Sequence, residues 1–381
     1  MDILQLLTQE KNHKMFSKYF PNTNILSSFD FDKSMKNIKN NTLGIFDIVT
    51  VLQIGMENNN IRNRVIDICI NNKSKIFQNQ IKAIIPQYHT SKCVNDCAYC
   101  SFRKSNPNVL RTELNDEDFE KELNLIFEWG YTTIEFVYAA DENFPAKRIA
   151  ERITRAKRIG QSIGKELEIG INASPLSLED YMILNDAGLD FVLLWMETYS
   201  KESYKKWHPN NTPKSDFNYR IDTFDRSIQA GIKKYAFAVL FGLSDWKEDV
   251  INLIQHGLYI RKTYGVEPYI IGNPRLKYAM GLDVEKSPFI IDDENYIFVN
   301  YLLKLIFPET KLFINTRETI DMNLELIKGG GDFFTIDCGT FPGAYLNSEL
   351  VKNGQEQFHT SYYNRENTIA LLQEKGYKVI F

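Results

Sequence analysis

Short, near-continuous apolar runs alternate with longer amphipathic ones from about residue 80 to the end of the chain. The runs AIIPQYH (83–89), TIEFVYAA (133–140), ELEIGINA (166–173) and DFVLLWME (190–197) predict strands. So do KYAFAVLFG (234–242), PYIIGN (268–273), KLFIN (311–315) and DFFTIDC (332–338). Most lack period-two alternation, which is how strands covered on both faces by helices read. Between them the spacing is helical. From Asn115 to Trp129, Phe119, Leu123, Ile126 and Phe127 share one face and acids the other. Ser177 with Asp180 three residues later is a capping-box-like start for the next helix. Glycines stand where helices must turn back to the sheet: Gly130, Gly164, Gly188, Gly231, Gly265 and the triplet Gly329–Gly331.

Eight strand signals with helices between them predict an α/β fold, a (βα)8 TIM-type barrel. A doubly wound open sheet fits less well, because no Gly-rich phosphate loop follows the first strand. Residues 1–80, with the Asn-rich stretches NIKNN and MENNNIRN, predict a mainly helical N-terminal extension acting as a lid. Residues 81–381 then form the barrel, and no linker marks a further domain.

Composition narrows the class. The 381 residues carry 45 Lys plus Arg against 49 Asp plus Glu, a formal charge of −4, with 43% hydrophobic and 25% charged residues. These values exclude a disordered chain, a coiled coil and a disulfide scaffold. The near-neutral balance argues against broad nucleic-acid or anionic-membrane binding. No basic region followed by an apolar core opens the chain, and the longest apolar stretches fall short of a membrane span. A soluble, cytoplasmic protein is expected.

Three of five cysteines lie within eight residues, in SKCVNDCAYCSFRKSN, directly after the first predicted strand. That is the end of a barrel strand where active sites are built. Three thiolates at Cys93, Cys97 and Cys100 suit three corners of a cubane iron–sulfur cluster. With no fourth cysteine nearby, one iron stays open, a sign of chemistry more than of a staple. A zinc site completed by His89 is the competing arrangement, although such sites usually come as two separated pairs.

Cys93, Cys97, Tyr99 and Cys100, as Cys-x3-Cys-x-Tyr-Cys, resemble the signature of radical S-adenosylmethionine enzymes. Further motifs sharpen the likeness: METYSKESYKKWHPNNTPKSDFNYRIDT, AVLFGLSDW, NPRLKYAM, NTRE and FPGAYLNSE. From about residue 80 to the end they follow the order seen in the aromatic amino-acid lyases of that superfamily. Those are the tyrosine lyases of thiazole biosynthesis and of iron-only hydrogenase maturation, and the tryptophan lyase of indolic-acid biosynthesis.

The resemblance implies a 4Fe–4S cluster on the three cysteines and S-adenosylmethionine chelated to the open iron, with Tyr99 against its adenine. Glu197 is implied as a hydrogen-bond partner of the cofactor ribose, although Met196 replaces the family's Gln beside it. Arg220 resembles the arginine that pairs with the methionyl carboxylate, with Arg226 as the alternative. The family's glycine-rich segment on the second strand reads VYAADEN here, so Asp141, or else Glu142, is expected to receive the methionyl ammonium.

Arg317 is implied to clamp the substrate carboxylate, a task that suits a planar bidentate guanidinium. Thr335 and Tyr88 are implied near the substrate's amino end. Asp337 and Cys338 replace small family residues; Cys338 reads as a small buried hydrophobe, and the pair is also compatible with altered specificity. His89 and His208 are expected to be structural.

The activity implied is cleavage of the Cα–Cβ bond of a free aromatic amino acid, tyrosine first, to dehydroglycine (2-iminoacetate) and p-cresol. The alternatives are a tryptophan-type carbon-fragment rearrangement or a lyase acting on another amino acid. The implied partners are the small-molecule amino-acid substrate, reduced flavodoxin or ferredoxin as electron donor, and an acceptor protein for the imine. The chain closes on GYKVIF without the second cysteine set of the hydrogenase-maturation lyase. A role ending at dehydroglycine, without carbon monoxide or cyanide production, is therefore expected.

Overall fold

The computed structural model describes residues 3–7, 28–280, 287–361 and 363–381. Four helices come first: α1 (Ile3–Leu7), α2 (Ser28–Lys39), α3 (Ile45–Glu57) and α4 (Asn59–Ile76). The strands that follow are β1 (Gln80–Ala83), β2 (Ile85–Thr90), β3 (Thr133–Tyr138), β4 (Glu168–Asn172) and β5 (Phe191–Glu197). They continue with β6 (Lys234–Val239), β7 (Ile270–Gly272), β8 (Lys311–Ile314), β9 (Gly331–Phe334) and β10 (Lys378–Ile380). Between β2 and β6 lie α5 (Asp116–Glu128), α6 (Ala146–Ser162), α7 (Leu178–Asp186), α8 (Lys201–Trp207), α9 (Phe217–Ile221) and α10 (Thr223–Gln229). Later come α11 (Trp246–Tyr264), α12 (Asp293–Ile306), α13 (Ile320–Gly329), α14 (Glu349–Lys352) and α15 (Arg365–Glu374).

All strand pairs are parallel, in the order β10-β1-β9-β8-β7-β6-β5-β4-β3-β2. The two ends of that order meet. β1 and β2 are one strand interrupted at Ile84, whose N–H still donates to Phe334 O at 3.0 Å. Its lower half pairs with β9 and its upper half with β3. The eight predicted strands therefore curl into a barrel, closed at the base and parted between β2 and β9 at the upper end. The segment after β9 fills the parting: Tyr345 donates to Pro86 O at 2.7 Å, and Tyr88 donates to Gln357 at 2.8 Å.

Every residue of β2 and β3 is buried, the polar Gln87, His89, Thr90, Thr133 and Glu135 included. Asn115 and Ser177 cap α5 and α7 by accepting from the N–H of Asp118 and Asp180. Gly130 (φ +94°) and Gly231 (φ +102°) end their helices in the left-handed region that a side chain would strain.

Two expectations need correction. The leading helices are not a lid: α3 and α4 pack on α11, α12 and α13 of the outer ring, and Gly55 admits the Phe298 ring where a Cβ would collide with it. The apolar faces of α3 and α4 are satisfied there, away from the mouth. A short tenth strand, β10, also extends the sheet beside β1, a pairing too brief to leave a pattern in the sequence. No helix among the described residues is long and apolar enough to cross a membrane.

Candidate active site

The loop after β2 carries the three cysteines and is stitched to its surroundings through its backbone. Val94 N–H donates to Ala140 O at 2.9 Å, Ala98 N–H to Trp207 O at 3.1 Å and Ser101 N–H to Gln357 O at 3.1 Å. Arg111 grips four of the loop's carbonyls, those of Ser91, Phe102, Arg103 and Asn106, at 2.6–3.0 Å. One guanidinium thus fixes a segment with no regular structure of its own.

Cys93, Cys97 and Cys100 all carry free thiols and line one cavity at the upper end of the barrel. Burial pushes the Cys100 thiol up to about 12, and the neighbouring Cys97 and Cys93 add to the shift. Three soft donors crowded together need cationic charge to hold them as thiolates, and iron of a cluster supplies it. His89 does not join them. It stacks on Tyr138 and faces Arg152 at 3.0 Å inside the β2–β3–α6 packing, so the zinc arrangement lacks its fourth ligand.

Around the cysteines the cavity wall is polar. Tyr99 donates to His208 Nε2 at 2.8 Å, while His208 Nδ1–H reaches Tyr204 O at 2.7 Å, which sets the imidazole tautomer. Burial, followed by nearby Lys214, pushes His208 down to about 3, so it is a neutral acceptor. Glu197 ends β5 in the left-handed region (φ +72°), beside a register shift between Trp195 and Glu197. Its Oε1 meets Lys214 Nζ at 2.7 Å and Arg220 at 3.5 Å. Burial alone would raise Glu197, but Lys214 and Arg220 outweigh it and hold the carboxyl below the usual range.

Arg317, Thr335 and Tyr88 lie further round the same cavity. Arg317 lies flat on Phe358, its guanidinium carbon 3.3 Å from the ring centroid, and makes no ion pair among the described residues. Its neighbour Glu318 is taken by Arg275 and by Lys277 at 3.3 Å, so exchange with Glu318 does not account for Arg317. The Thr335 hydroxyl is buried without a hydrogen-bond partner.

Of the residues singled out in the sequence, Tyr88, Cys93, Cys97, Tyr99, Cys100, Glu197, Arg220, Arg317, Thr335 and Cys338 line this cavity together. Asp141 does not, which corrects that expectation. Thr90 donates to its Oδ2 at 2.6 Å and Asn143 N–H to its Oδ1 at 3.0 Å, turning the carboxylate into its own loop. Glu142 is exposed. Arg226 is also elsewhere, bonded to Leu176 O at 2.9 Å and stacked on Tyr219. Asp337 faces Arg365 at 3.5 Å.

Sequence reasoning missed Lys214, Gln357, Phe358, Asn172 and Glu135, all of which line the cavity. Only Glu135 left a signal, as the one charged residue in the apolar strand TIEFVY.

Comparison with known proteins follows the same outline. Residues 88–254 match the profile described as the Radical SAM superfamily. The chain is 30% identical over 296 residues to 2-iminoacetate synthase of Salmonella typhimurium, covering 77% of this chain and 75% of that protein. It is 31% identical over 273 residues to 2-iminoacetate synthase of Escherichia coli, covering 71% and 70%. In fold it resembles the crystal structure of HydG, a maturase of the [FeFe]-hydrogenase. The TM-score is 0.89 at 24% identity, over 98% of this chain and 80% of that one.

Proposed function

This chain belongs to the radical S-adenosylmethionine superfamily, and from that premise we propose that it cleaves the Cα–Cβ bond of a free aromatic amino acid, L-tyrosine first, releasing dehydroglycine and p-cresol. It is a carbon–carbon lyase whose cofactors are a 4Fe–4S cluster and S-adenosylmethionine. When bound and reduced, these would supply the radical chemistry for hydrogen-atom abstraction from the substrate.

The remaining work falls to the chain's own side chains. Cys93, Cys97 and Cys100 would hold the cluster and leave it one position open to the cofactor. Tyr99, kept in place by His208, covers the adenine; Glu197 meets the ribose, and Arg220 the methionyl carboxylate. Arg220 also donates to Trp195 O, so its direction is set by strand backbone. Asp141 has no part here, because it would have to give up Thr90.

The observation that carries the substrate reading is Arg317. A guanidinium enclosed beside a cavity without a carboxylate partner is poised for an anion, and a planar fork suits the carboxylate of an amino acid. The unpartnered Thr335 hydroxyl and Tyr88 support placement of the substrate amine beside it. The segment around Gln357 and Phe358 closes the gap in the barrel and keeps water from the reacting atoms. Electron delivery by reduced flavodoxin or ferredoxin, capture of the imine by an acceptor protein and a cytoplasmic setting belong to the same proposal.

Product analysis tests it. Anaerobic reconstituted enzyme given reductant, S-adenosylmethionine and tyrosine is expected to release p-cresol together with glyoxylate, the hydrolysis product of dehydroglycine. Tyrosine left unconsumed while another amino acid is cleaved would assign the lyase to that substrate.

A further inference from the structure

Glu135 is a carboxylic acid inside the barrel, 4% exposed, level with Pro86 on β2 and Gly170 on β4. Its one hydrogen bond among the described residues comes from Asn172 Nδ2 at 2.7 Å, across the β3–β4 pair. Burial pushes the carboxyl up to about 7 in spite of that bond. Its other oxygen has no partner among the described residues and opens to the cavity, where it is free to accept a hydrogen bond.

Its position is specific. Glu135, Val137 and Ala139 line the cavity from alternate positions of the chain through β3, and Glu135 is the deepest of the three. Phe313, Asn315 and Arg317 line it likewise from β8 upward, with Arg317 at the mouth. Glu135 therefore faces the interior below the clamp. Trp195 and Phe313, ring centroids 5.5 Å apart, provide flat walls, with Pro86 of β2 beside Glu135 in register.

We infer that Glu135, oriented by Asn172, is the specificity determinant of this site, accepting a hydrogen bond from an O–H or N–H group at the far end of an aromatic substrate side chain. This rests on the lyase reading above and adds which ring the pocket takes. An amino acid whose carboxylate meets Arg317 extends its side chain down the barrel axis, where a phenol hydroxyl or an indole N–H finds the unengaged oxygen. A bare phenyl ring would leave that carboxyl unpartnered and dehydrated, the situation in which hydrogen-bonding sites reject analogues most strongly.

The test is the ratio of kcat/KM for tyrosine to that for phenylalanine, read as substrate-dependent 5′-deoxyadenosine by the reconstituted holoenzyme. Wild type is expected to favour tyrosine by at least about 100-fold. Glu135→Leu is expected to bring the ratio below about tenfold, and the isosteric Glu135→Gln, which keeps an acceptor, to fall between. A purely structural Glu135–Asn172 pair would lower both substrates together and leave the ratio intact, which overturns the inference while the lyase stands. Equal use of the two amino acids by wild type overturns it as well. Wild type stimulated by no aromatic amino acid overturns the lyase reading itself, and the inference with it.

Discussion

Lys214 Nζ stands 2.7 Å from Glu197 Oε1, and the same ammonium lies 5.4 Å from the centre of the Tyr99 ring. One lysine from a short 3-10 turn (Pro213–Ser215) thus joins the acid at the end of β5 to the aromatic of the cysteine loop. Both Lys214 and Glu197 are enclosed, and Glu197 holds a left-handed backbone that costs roughly 1–3 kcal/mol. A conformation of that kind persists only where its surroundings enforce it, and the Lys214–Glu197–Arg220 cluster does so.

Lys214→Met is expected to lower stability by about 1–3 kcal/mol, short of the ~3–5 kcal/mol for an acid left with no partner, because Arg220 remains. The pH dependence gives a second reading. Glu197 is held below its ordinary value in the folded state, so its contribution is present above the unfolded value and lost as pH falls through the folded one. With Lys214 gone less of that contribution exists, and the acid-side slope of stability flattens. Urea unfolding at a series of pH values below 6 checks both effects.

Arg317→Gln is expected to raise KM for tyrosine by roughly 10- to 150-fold, from the ~1.5–3 kcal/mol of charge-assisted hydrogen bonds. Arg317→Lys keeps the charge without the fork and should fall between. Iron content of the variants should match wild type, since Arg317 touches no cysteine. Unchanged KM in the glutamine variant would remove the carboxylate clamp from the account.

His208→Phe removes the acceptor that holds the Tyr99 hydroxyl, and S-adenosylmethionine affinity should drop by about three- to tenfold, the worth of a net hydrogen bond. Because His208 is held at about 3, cofactor binding should show no histidine inflection between pH 5 and 8. Its contribution to stability is present above pH 6.5 and declines as pH falls toward 3. Binding titrations at several pH values measure the first effect, and acid unfolding the second.

Gln357 accepts from the Tyr88 hydroxyl at 2.8 Å and points its amide at Cys100 Sγ, 3.6 Å away. Hydrogen bonds to cluster sulfur are among the determinants of its potential. Removing a positive dipole favours the oxidised form, so Gln357→Leu is expected to lower the midpoint potential. An EPR-monitored redox titration reads that shift directly, independent of turnover.

Much of this was legible in the sequence because it depends on local order. The strands around Phe136, Leu193 and Phe237 are mostly apolar without period-two alternation, and that pattern marks a buried parallel strand. The cysteine spacing is likewise local, and Arg317 and Glu197 stand at strand ends where a barrel concentrates function. What was missed depends on contacts distant along the chain. Lys214 meets Glu197 across 17 residues of loop and helix, and Gln357 meets Cys100 across 257. Asp141 misled for the same reason: a threonine on the preceding strand captures its carboxylate, 51 residues away in sequence. The lid failed because an apolar helical face says that it is covered, and not by which surface.

The central claim is that one cavity brings an amino acid held by Arg317 to a cofactor held by Cys93, Cys97 and Cys100. The direct measurement is 5′-deoxyadenosine formed anaerobically by reduced, reconstituted protein with S-adenosylmethionine alone, with added tyrosine and with added tryptophan. Tyrosine is predicted to stimulate its formation well above the background, with p-cresol appearing in step. Formation at the same rate with and without either amino acid would contradict the account.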